Sequence, residues 1–216
     1  MDTDFDTVAR PYDFISRLFF GDALVKAQVS LLSQILPNSR ILIVGGGTGW
    51  ILEEIAKIHP TGLEIIYVES SLKMIELSQK RSCKNNSVSF MNTPVEGYYT
   101  ELLFDIIITP FFFDLFKKDK IDMLFSGLDK KLKEDGLWLY TDFIPTEYQT
   151  KIWQKVLLKT MYLFFGILSK VEASELVDMD LYFSEKYNKI SEEWFYGKFV
   201  RSIAYKKNQI AISLSL

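Results

Sequence analysis

A glycine-rich segment early in the chain has the composition of a ligand-binding loop. It directly follows the apolar run 40–44 and consists of Gly45, Gly46, Gly47, Thr48 and Gly49. Glycine has no Cβ, so a ligand can approach the backbone closely and positive φ angles are accessible. If the run is a strand and a helix begins at Trp50, unpaired backbone N–H groups and the positive end of the helix dipole point at the loop. The segment therefore predicts a binding crevice after Val44.

A carboxylate stands where a nucleoside ligand would need one. Glu69 ends the next apolar run, residues 64–69, about 20 positions beyond the glycine loop. In open α/β sheets, ligands bind at the carboxyl ends of the strands, where an acid at this spacing can accept hydrogen bonds from both hydroxyls of a ribose. The loop and Glu69 together predict a site for a nucleoside.

The loop does not fit two common nucleotide-binding motifs. Counted from Gly45, the dinucleotide fingerprint G-x-G-x-x-G places its third glycine at Trp50, which is the bulkiest side chain available. A P-loop needs a lysine after its last glycine, but Gly49 is followed by Trp50 and Ile51. The pattern therefore argues against a bound pyrophosphate or triphosphate.

The segments that must position these residues alternate between apolar runs and stretches with helical periodicity. Predicted strands cover residues 40–44, 64–69, 87–91, 104–109 and 137–141, and predicted helices cover 50–58, a segment capped by Ser70 or Ser71, and 121–132. Pro110 breaks the fourth strand, and residues 134–136 form the turn before the fifth. Strands that alternate with helices imply right-handed crossovers and a parallel sheet covered on both faces.

The two ends of the chain depart from this alternation. Residues 5–36 read as helical, with Asp22 as a cap for their second part, and residues 146–168 predict a long helix with a wide apolar face. Two strand-like runs, 190–196 and 199–205, are joined at Gly197-Lys198 and predict an antiparallel hairpin. We predict one domain over residues 1–216, composed of an N-terminal helical lid (5–36), a cofactor-binding core (38–142), a helical substrate-side insertion (143–187) and a closing hairpin (188–207).

The order of these motifs resembles that of the class I S-adenosylmethionine-dependent methyltransferases, of the small-molecule, type 11/12-like kind. Residues 44–49 look like the first motif of the family, Glu69 like its ribose-binding acid, and residues 133–136 like the turn before its fifth strand. The resemblance covers residues 38–142 well and the whole chain more loosely. It implies an α/β fold with a Rossmann-like seven-stranded mixed sheet, in which helices flank parallel strands closed by a C-terminal antiparallel hairpin.

The resemblance also implies S-adenosyl-L-methionine as the cofactor. The loop glycines would accommodate its methionyl end, Glu69 its ribose and Met74 its adenine, while Tyr12, in a Tyr-Asp segment, would lie over it as part of the lid. The full set of expected cofactor-binding residues is Tyr12, Gly45, Gly46, Gly47, Thr48, Gly49, Glu69, Ser70, Met74, Asn92, Thr93 and Thr109.

The sequence departs from the family at two places. The segment 91–94 lacks the carboxylate that often receives the adenine amino group, so adenine recognition is expected to use Asn92, Thr93 or the backbone. After the fourth strand, residues 109–112 only loosely match the Asn-Pro-Pro-Tyr signature of enzymes that methylate amino groups. Thr109 therefore either lines the cofactor crevice or simply ends its strand.

Composition limits the kinds of partner and the cellular location that we expect for this protein. Twenty-five Lys and Arg against 28 Asp and Glu give a net charge of −3, which excludes a global positive field for nucleic acid. The single cysteine, Cys83, and the acidic N-terminus without a signal-peptide pattern favour a cytoplasmic protein. No apolar stretch reaches the length of a transmembrane helix. A homo-oligomer is not predicted.

The residues that could act as acids, bases or nucleophiles form no convincing constellation. His59 is expected to cap the C-terminus of a surface helix, and Cys83 to be an unreactive thiol. We therefore assign no catalytic residue and no metal site. Methyl transfer from a sulfonium is an in-line displacement that proximity and a dry pocket can accelerate without a dedicated base.

The function expected from the resemblance is methyl transfer to a small, lipophilic or aromatic organic acceptor. Aromatic residues that follow the fourth and fifth strands, including Phe111 and Phe143, could form the walls of its pocket. Three alternatives stay open: an NAD-dependent oxidoreductase, a non-catalytic relative that binds the cofactor, and a peripheral membrane role for residues 152–168.

Overall fold

The computed structural model describes residues 22–145, 148, 151–152, 154 and 176–209. The strands are β1 (Arg40–Val44), β2 (Thr61–Glu69), β3 (Asn85–Asn92), β4 (Phe104–Pro110), β5 (Leu132–Phe143), β6 (Tyr187–Phe195) and β7 (Val200–Lys207). The helices are α1 (Ala23–Val29), α2 (Trp50–Ile58), α3 (Leu72–Ser78), α4 (Lys118–Asp129) and the short α5 (Asp180–Phe183), with 3-10 turns at Leu32–Gln34, Val95–Gly97 and Phe113–Leu115.

All seven strands form one sheet in the order β3-β2-β1-β4-β5-β7-β6. The first five strands pair in parallel, and β7 pairs antiparallel to both β5 and β6. The predicted Rossmann-like mixed sheet with a closing hairpin is therefore confirmed. Because β1 and β4 are neighbours although β2 and β3 lie between them in sequence, the strand order reverses at β1, where open sheets form their ligand crevice.

The strands are buried on both faces. In β1, Leu42 and Val44 belong to one hydrophobic cluster with Ile107 and Trp138, whereas Ile41 and its neighbour on the same face belong to a second cluster. This is the expected consequence of helices on both sides of a parallel sheet. The buried strand predicted from the continuous apolar run is confirmed. The glycine loop begins directly after the last residue of this strand.

Strand β5 corrects one predicted boundary. The strand begins at Leu132 and not at Leu137, and the predicted turn at residues 134–136 lies within it as an irregularity where the register with β4 shifts. Asp135 has a φ of 62°, and a Cβ at Gly136 would lie 2.8 Å from the Lys133 carbonyl oxygen. The turn chemistry was thus recognised correctly, but the chain resumes pairing on both sides of it.

The N-terminal segment is described only from residue 22 onward. Asp22 immediately precedes α1, but its side chain makes no capping hydrogen bond, which corrects the predicted cap. Helix α1 packs on the hairpin: Ala27 is fully buried, and its carbonyl oxygen accepts a hydrogen bond from Ser202 Oγ at 2.6 Å. Residues 5–21 of the predicted lid and most of the predicted helix 146–168 lie outside the described residues.

A polar network occupies the amino ends of the central strands, away from the glycine loop. Asp105 Oδ2 accepts a hydrogen bond from Arg40 N at 2.8 Å, and Asp105 Oδ1 lies 2.6 Å from Lys133 Nζ. These contacts hold the pKa of Asp105 below its usual value. This end of the sheet is therefore tied together by charged side chains and leaves the carboxyl end for a ligand.

Helix α3 begins at a side-chain cap. Ser71 is the N-cap residue, its Oγ accepts a hydrogen bond from Met74 N at 3.1 Å, and the residue is buried. The prediction of a serine cap is confirmed for Ser71. We expect Ser71→Ala to lower the free energy of unfolding by about 1 kcal/mol, because one backbone N–H of the first turn loses its partner.

Thermal denaturation followed by circular dichroism measures this change as a fall of about 2–4 °C in the midpoint. Ser70→Ala is the matched control, because Ser70 is exposed and caps no helix. An equal loss in both variants would show that the cap contributes nothing specific.

Within the described ranges, no helix has both the length and the apolar character needed to cross a bilayer.

Candidate functional site

The glycine loop joins β1 to α2 at the carboxyl end of the sheet. Gly47 has a φ of 61°, in the left-handed region that favours glycine. Apart from its chain neighbours, no atom of the described residues lies within 4 Å of the position that its Cβ would occupy. The loop therefore presents bare backbone to open space at Gly47. This is the geometry that a ligand approaching the backbone requires.

Tyr67 supports the loop from below. Its hydroxyl donates a hydrogen bond to the Gly47 carbonyl oxygen at 2.9 Å, and a Cβ at Gly46 would lie 2.6 Å from its ring. Tyr67 is fully buried and two residues before Glu69, so both side chains leave β2 on the same face. Sequence reasoning missed Tyr67, although a tyrosine in phase with Glu69 in an aliphatic strand was an available signal.

Glu69 lies directly beside the open part of the loop. Its Oε2 accepts a hydrogen bond from Gly47 N at 3.1 Å, and its Oε1 accepts one from Ser71 N at 3.0 Å. The side chain is buried, and this burial raises the pKa of the carboxyl group while the backbone N–H groups of Ser71 and Gly47 oppose the rise. The structure thus brings together the two features that the sequence predicted separately.

The carboxylate of Glu69 retains hydrogen-bonding capacity. Two oxygens provide about four acceptor positions. The N–H groups of Gly47 and Ser71 occupy two of these, and Ser70 Oγ donates a long hydrogen bond of 3.5 Å to Oε1. A diol can therefore be bound by a fixed carboxylate next to bare backbone. The acceptor oxygens of Glu69 fit the hydroxyls of a ribose, and the open space at Gly47 fits the chain attached to that ribose.

Four residues predicted for the cofactor lie in the two segments that follow β2 and β3. Ser70 and Met74 come after Glu69, Asn92 ends β3, and Thr93 follows it. Asn92 Nδ2 donates hydrogen bonds to the carbonyl oxygens of Glu69 at 3.2 Å and Ser70 at 3.0 Å, and Thr93 N donates to the Glu69 carbonyl at 3.2 Å. Ser70 and Asn92 are exposed and Thr93 is half-buried, whereas Met74 in the first turn of α3 is buried. The structure places Ser70, Asn92 and Thr93 in one hydrogen-bonded group next to Glu69.

The far side of the loop is held by an arginine that the sequence did not single out. Arg81 Nε donates a hydrogen bond to the Thr48 carbonyl oxygen at 3.0 Å, and Arg81 Nη1 lies 3.5 Å from Glu53 Oε2. Thr48 itself is buried, and its hydroxyl lies 3.4 Å from Arg81 Nη2. Arg81, in the segment after α3, therefore connects the loop at Thr48 with Glu53 of α2.

The side chain of Thr109 lies in the core, whereas one of the two expectations placed it along the crevice. It is fully buried, and its Oγ1 accepts a hydrogen bond from Trp138 Nε1 at 2.9 Å. A buried indole N–H needs an acceptor, and Thr109 supplies it. The hydroxyl is thus part of the core between β4 and β5, in agreement with the second interpretation, in which Thr109 belongs to the strand.

Aromatic rings follow β4 on the side next to the loop. A Cβ at Gly45 would lie 2.8 Å from the ring of Phe112, and the ring of Phe111 lies 5.1 Å from that of Phe143. These last two rings belong to an apolar cluster around the ends of β5 and β7, together with Leu24, Ala27, Ile144, Leu176, Phe195, Tyr196, Phe199 and Val200. The ring of Phe112 therefore borders the loop, and the role of Phe111 and Phe143 as walls of an acceptor pocket stays a prediction.

Two aspartates at the ends of β4 and β5 were not predicted. Asp142 Oδ1 accepts a hydrogen bond from Phe143 N at 2.8 Å, and Asp142 Oδ2 accepts one from Asp114 N at 3.3 Å. Burial raises the pKa of Asp114 to about 7, and burial together with the charge of Asp114 raises that of Asp142. Their proximity depends on the turn Phe113–Leu115, which sequence periodicity does not indicate.

The remaining candidates lie elsewhere. His59 follows α2 as its C-terminal cap residue, as predicted, and its carbonyl oxygen accepts a hydrogen bond from Asn86 Nδ2 at 2.6 Å. Burial raises the pKa of the Cys83 thiol, which does not favour a reactive thiolate. Tyr12 lies outside the described residues.

Comparison with known proteins identifies the part of the chain that contains this site. Residues 41–136 match a family model described as a methyltransferase domain. A ubiquinone/menaquinone biosynthesis C-methyltransferase from Geotalea daltonii is 34% identical over 93 residues, which cover 42% of this chain and 40% of that protein. A malonyl-[acyl-carrier protein] O-methyltransferase from Halalkalibacterium halodurans is 28% identical over 159 residues, covering 67% of this chain and 58% of that protein.

The solved structures show the same fold. The N-methyltransferase NodS from Bradyrhizobium japonicum, in complex with S-adenosyl-L-homocysteine, superimposes with a TM-score of 0.62 at 12% identity, covering 86% of this chain and 84% of that one. The matches to these two curated relatives span less than two thirds of the relatives' own length.

Proposed function

We propose that this protein, whose residues 41–136 match a methyltransferase-domain family, is a class I S-adenosylmethionine-dependent enzyme that transfers a methyl group from S-adenosyl-L-methionine to a small organic acceptor. The observation that carries the proposal is the contact between Gly47 N and Glu69 Oε2 at 3.1 Å beside open space at Gly47. This contact supports the proposal because a carboxylate that can accept hydrogen bonds from a diol then lies directly beside bare backbone.

Each part of the loop has a defined task in this proposal. S-Adenosyl-L-methionine would supply an electrophilic methyl group on a sulfonium. Glu69 would accept hydrogen bonds from the ribose hydroxyls, and the backbone around Gly47 would accommodate the methionyl end. Tyr67 and Arg81 hold the loop carbonyl oxygens and so keep the donors in place before the ligand arrives. Such preorganisation lets alignment of the reactants supply most of the rate acceleration.

The alternative of an NAD-dependent oxidoreductase is not favoured. The third fingerprint position is Trp50, the first residue of α2, and its side chain packs against the core instead of leaving room for a pyrophosphate. A dinucleotide needs a glycine here for close strand–helix packing.

We propose a lipophilic or aromatic acceptor. The support is the apolar cluster that includes Phe111 and Phe143 at the carboxyl end of β5, next to the loop. Helix α1 packs against the same cluster through Ala27. The relatives named as methyltransferases of quinone biosynthesis and of malonyl-[acyl-carrier protein] also act on molecules outside the nucleic acids, which agrees with the net charge of −3.

Calorimetric titration of the full chain with S-adenosyl-L-methionine and with NADH tests the cofactor. We expect saturable binding of the first and none of the second. Turnover is then measured as S-adenosyl-L-homocysteine formed with a panel of quinols, phenols and fatty acids, with mass spectrometry of the methylated product. Cofactor binding without turnover on any acceptor would support a non-catalytic relative, and binding of NADH alone would refute the proposal.

A further inference from the structure

Two carboxyl groups next to the crevice, of which Asp142 is buried and Asp114 is half-buried, have no part in the cofactor contacts proposed above. Asp142 is 2% exposed at the end of β5, and Asp114 lies in the turn after β4. The N–H of Asp114 donates to Asp142 Oδ2 at 3.3 Å. Asp114 Oδ1 is buried and has no hydrogen-bond partner in the part of the chain that the structure describes.

No cation neutralises this pair among the described residues. Arg201 is the register partner of Asp142 on β7, but its guanidinium is bound by both oxygens of Asp180, at 2.8 and 3.0 Å. The buried Tyr140 of β5 interacts electrostatically with both aspartates, and Tyr205 of β7, whose hydroxyl donates to Asp180, packs against Tyr140. The positive charge of the register partner is therefore already bound by another carboxylate.

Two ionised carboxylates without a counterion repel each other in a buried setting. Burial raises the pKa of Asp114 from its ordinary 3.8 to about 7, and burial and repulsion by Asp114 raise that of Asp142. Groups coupled in this way lose their protons in two steps that belong to the pair. One proton therefore remains on the pair near neutral pH.

The pair lies on the side of the crevice toward β4 and β5. Phe112 connects the two regions, because its ring lies against Gly45 and its chain position is two residues before Asp114. A unit positive charge within about 10 Å changes the ionisation equilibrium of a buried acid by about tenfold, at an effective dielectric constant near 20. The cofactor of the proposed reaction carries such a charge on sulfur, and its thioether product does not.

We propose that the Asp114–Asp142 pair distinguishes the charged cofactor from its neutral product: it keeps one proton beside the thioether and releases it when a sulfonium occupies the crevice. This inference rests on the proposed function. In the balanced step, the singly protonated pair and the sulfonium give the ionised pair with bound sulfonium and one proton in water. The pair thereby favours binding of the cofactor and departure of the product.

Proton release upon binding is the direct test. The full chain is titrated at pH 7 with S-adenosyl-L-methionine and with S-adenosyl-L-homocysteine, each in two buffers of different ionisation enthalpy. We expect the sulfonium to release up to one more proton than the thioether. Any proton that Glu69 exchanges cancels in this difference, because both ligands contain the same ribose.

Asp142→Asn and Asp114→Asn should each abolish the difference in released protons and lower the affinity ratio of cofactor to product by about tenfold. Asp119→Asn, at an exposed position of α4, is the matched control and should behave like the wild type. Equal proton release with both ligands, or a difference that persists in the asparagine variants, overturns the inference. If neither ligand binds the wild type, the proposed function fails first, and this outcome is distinct.

The pH dependence of stability gives a second measurement that needs no ligand. The folded pair holds a proton that an aspartate in the unfolded chain loses near pH 3.8, its ordinary pKa. Its contribution to stability is therefore complete below that pH and is lost as the pH rises through about 7. The thermal midpoint of the wild type should fall between pH 5 and pH 8, and that of Asp114→Asn should fall less. Parallel curves would contradict a shared proton.

Discussion

We expect Gly46→Ala to destabilise the protein by about 1–3 kcal/mol, because an added methyl group has no space beneath the loop. Its Cβ would lie 2.6 Å from Cε2 and Cζ of Tyr67, and Tyr67 is fully buried between the loop and the core. The ring cannot move aside without losing the hydrogen bond from its hydroxyl to the Gly47 carbonyl oxygen. The loop must then leave the position in which it faces Glu69, so cofactor affinity should fall together with stability.

Chemical denaturation and calorimetry with S-adenosyl-L-methionine measure the two effects. Gly127→Ala is the matched control, since Gly127 lies within α4 and, outside the helix's own backbone, nothing in the described part of the chain lies within 4 Å of its added Cβ. Alanine is the better helix former, so this variant should gain about 0.5–1 kcal/mol and bind the cofactor normally. A Gly46→Ala protein as stable as the wild type would show that Tyr67 does not define the floor of the loop.

Glu69→Ala should weaken the binding of S-adenosyl-L-methionine by about 1–3 kcal/mol, since two ribose hydroxyls would lose a buried acceptor. The variant also leaves the N–H groups of Gly47 and Ser71 without their carboxylate partner. Glu64→Ala is the matched control, because Glu64 lies on the same strand and is half exposed in an ion pair with Arg40. Calorimetry should show unchanged affinity in Glu64→Ala, and an unchanged affinity in Glu69→Ala would refute the ribose assignment.

The same carboxylate predicts a pH dependence of binding. Burial raises the pKa of Glu69 above its ordinary 4.5, and only the ionised form accepts hydrogen bonds at both oxygens. Affinity for the cofactor should therefore be constant at high pH and decrease as the pH falls through the raised pKa. In Glu69→Ala this decrease should be absent.

The parts of the site that could be predicted are those set by local sequence. A continuous apolar run followed by glycines and a helical pattern needs no distant partner to be recognised, and Gly47 and Glu69 lie where this pattern placed them. The position of Ser71 as a cap likewise depends only on the residues of its own helix. Local rules of this kind also predicted the parallel sheet, because alternation of strands and helices constrains the topology.

The parts that could not be predicted depend on contacts between distant segments. Thr109 belongs to the core because Trp138, 29 residues later, donates to it. Arg81 reaches Thr48 across 33 residues, and Asp114 meets Asp142 across 28. Nothing in the periodicity of either segment indicates such a pair, since each side chain is an ordinary polar residue in its own context. These pairs of residues come together only when the chain folds.

The reversed direction of β7 affects how the molecule can be assembled during synthesis. The outer edge of β5 pairs only with β7, and Phe143 has Val200 as its partner. A nascent chain that has reached residue 143 but not residue 200 therefore carries an apolar strand edge with unsatisfied backbone groups, which is a template for aggregation. Pairing of β7 closes this edge and brings Phe199 and Val200 against Phe143, so the apolar cluster at the end of β5 forms only after the last two strands have been synthesised.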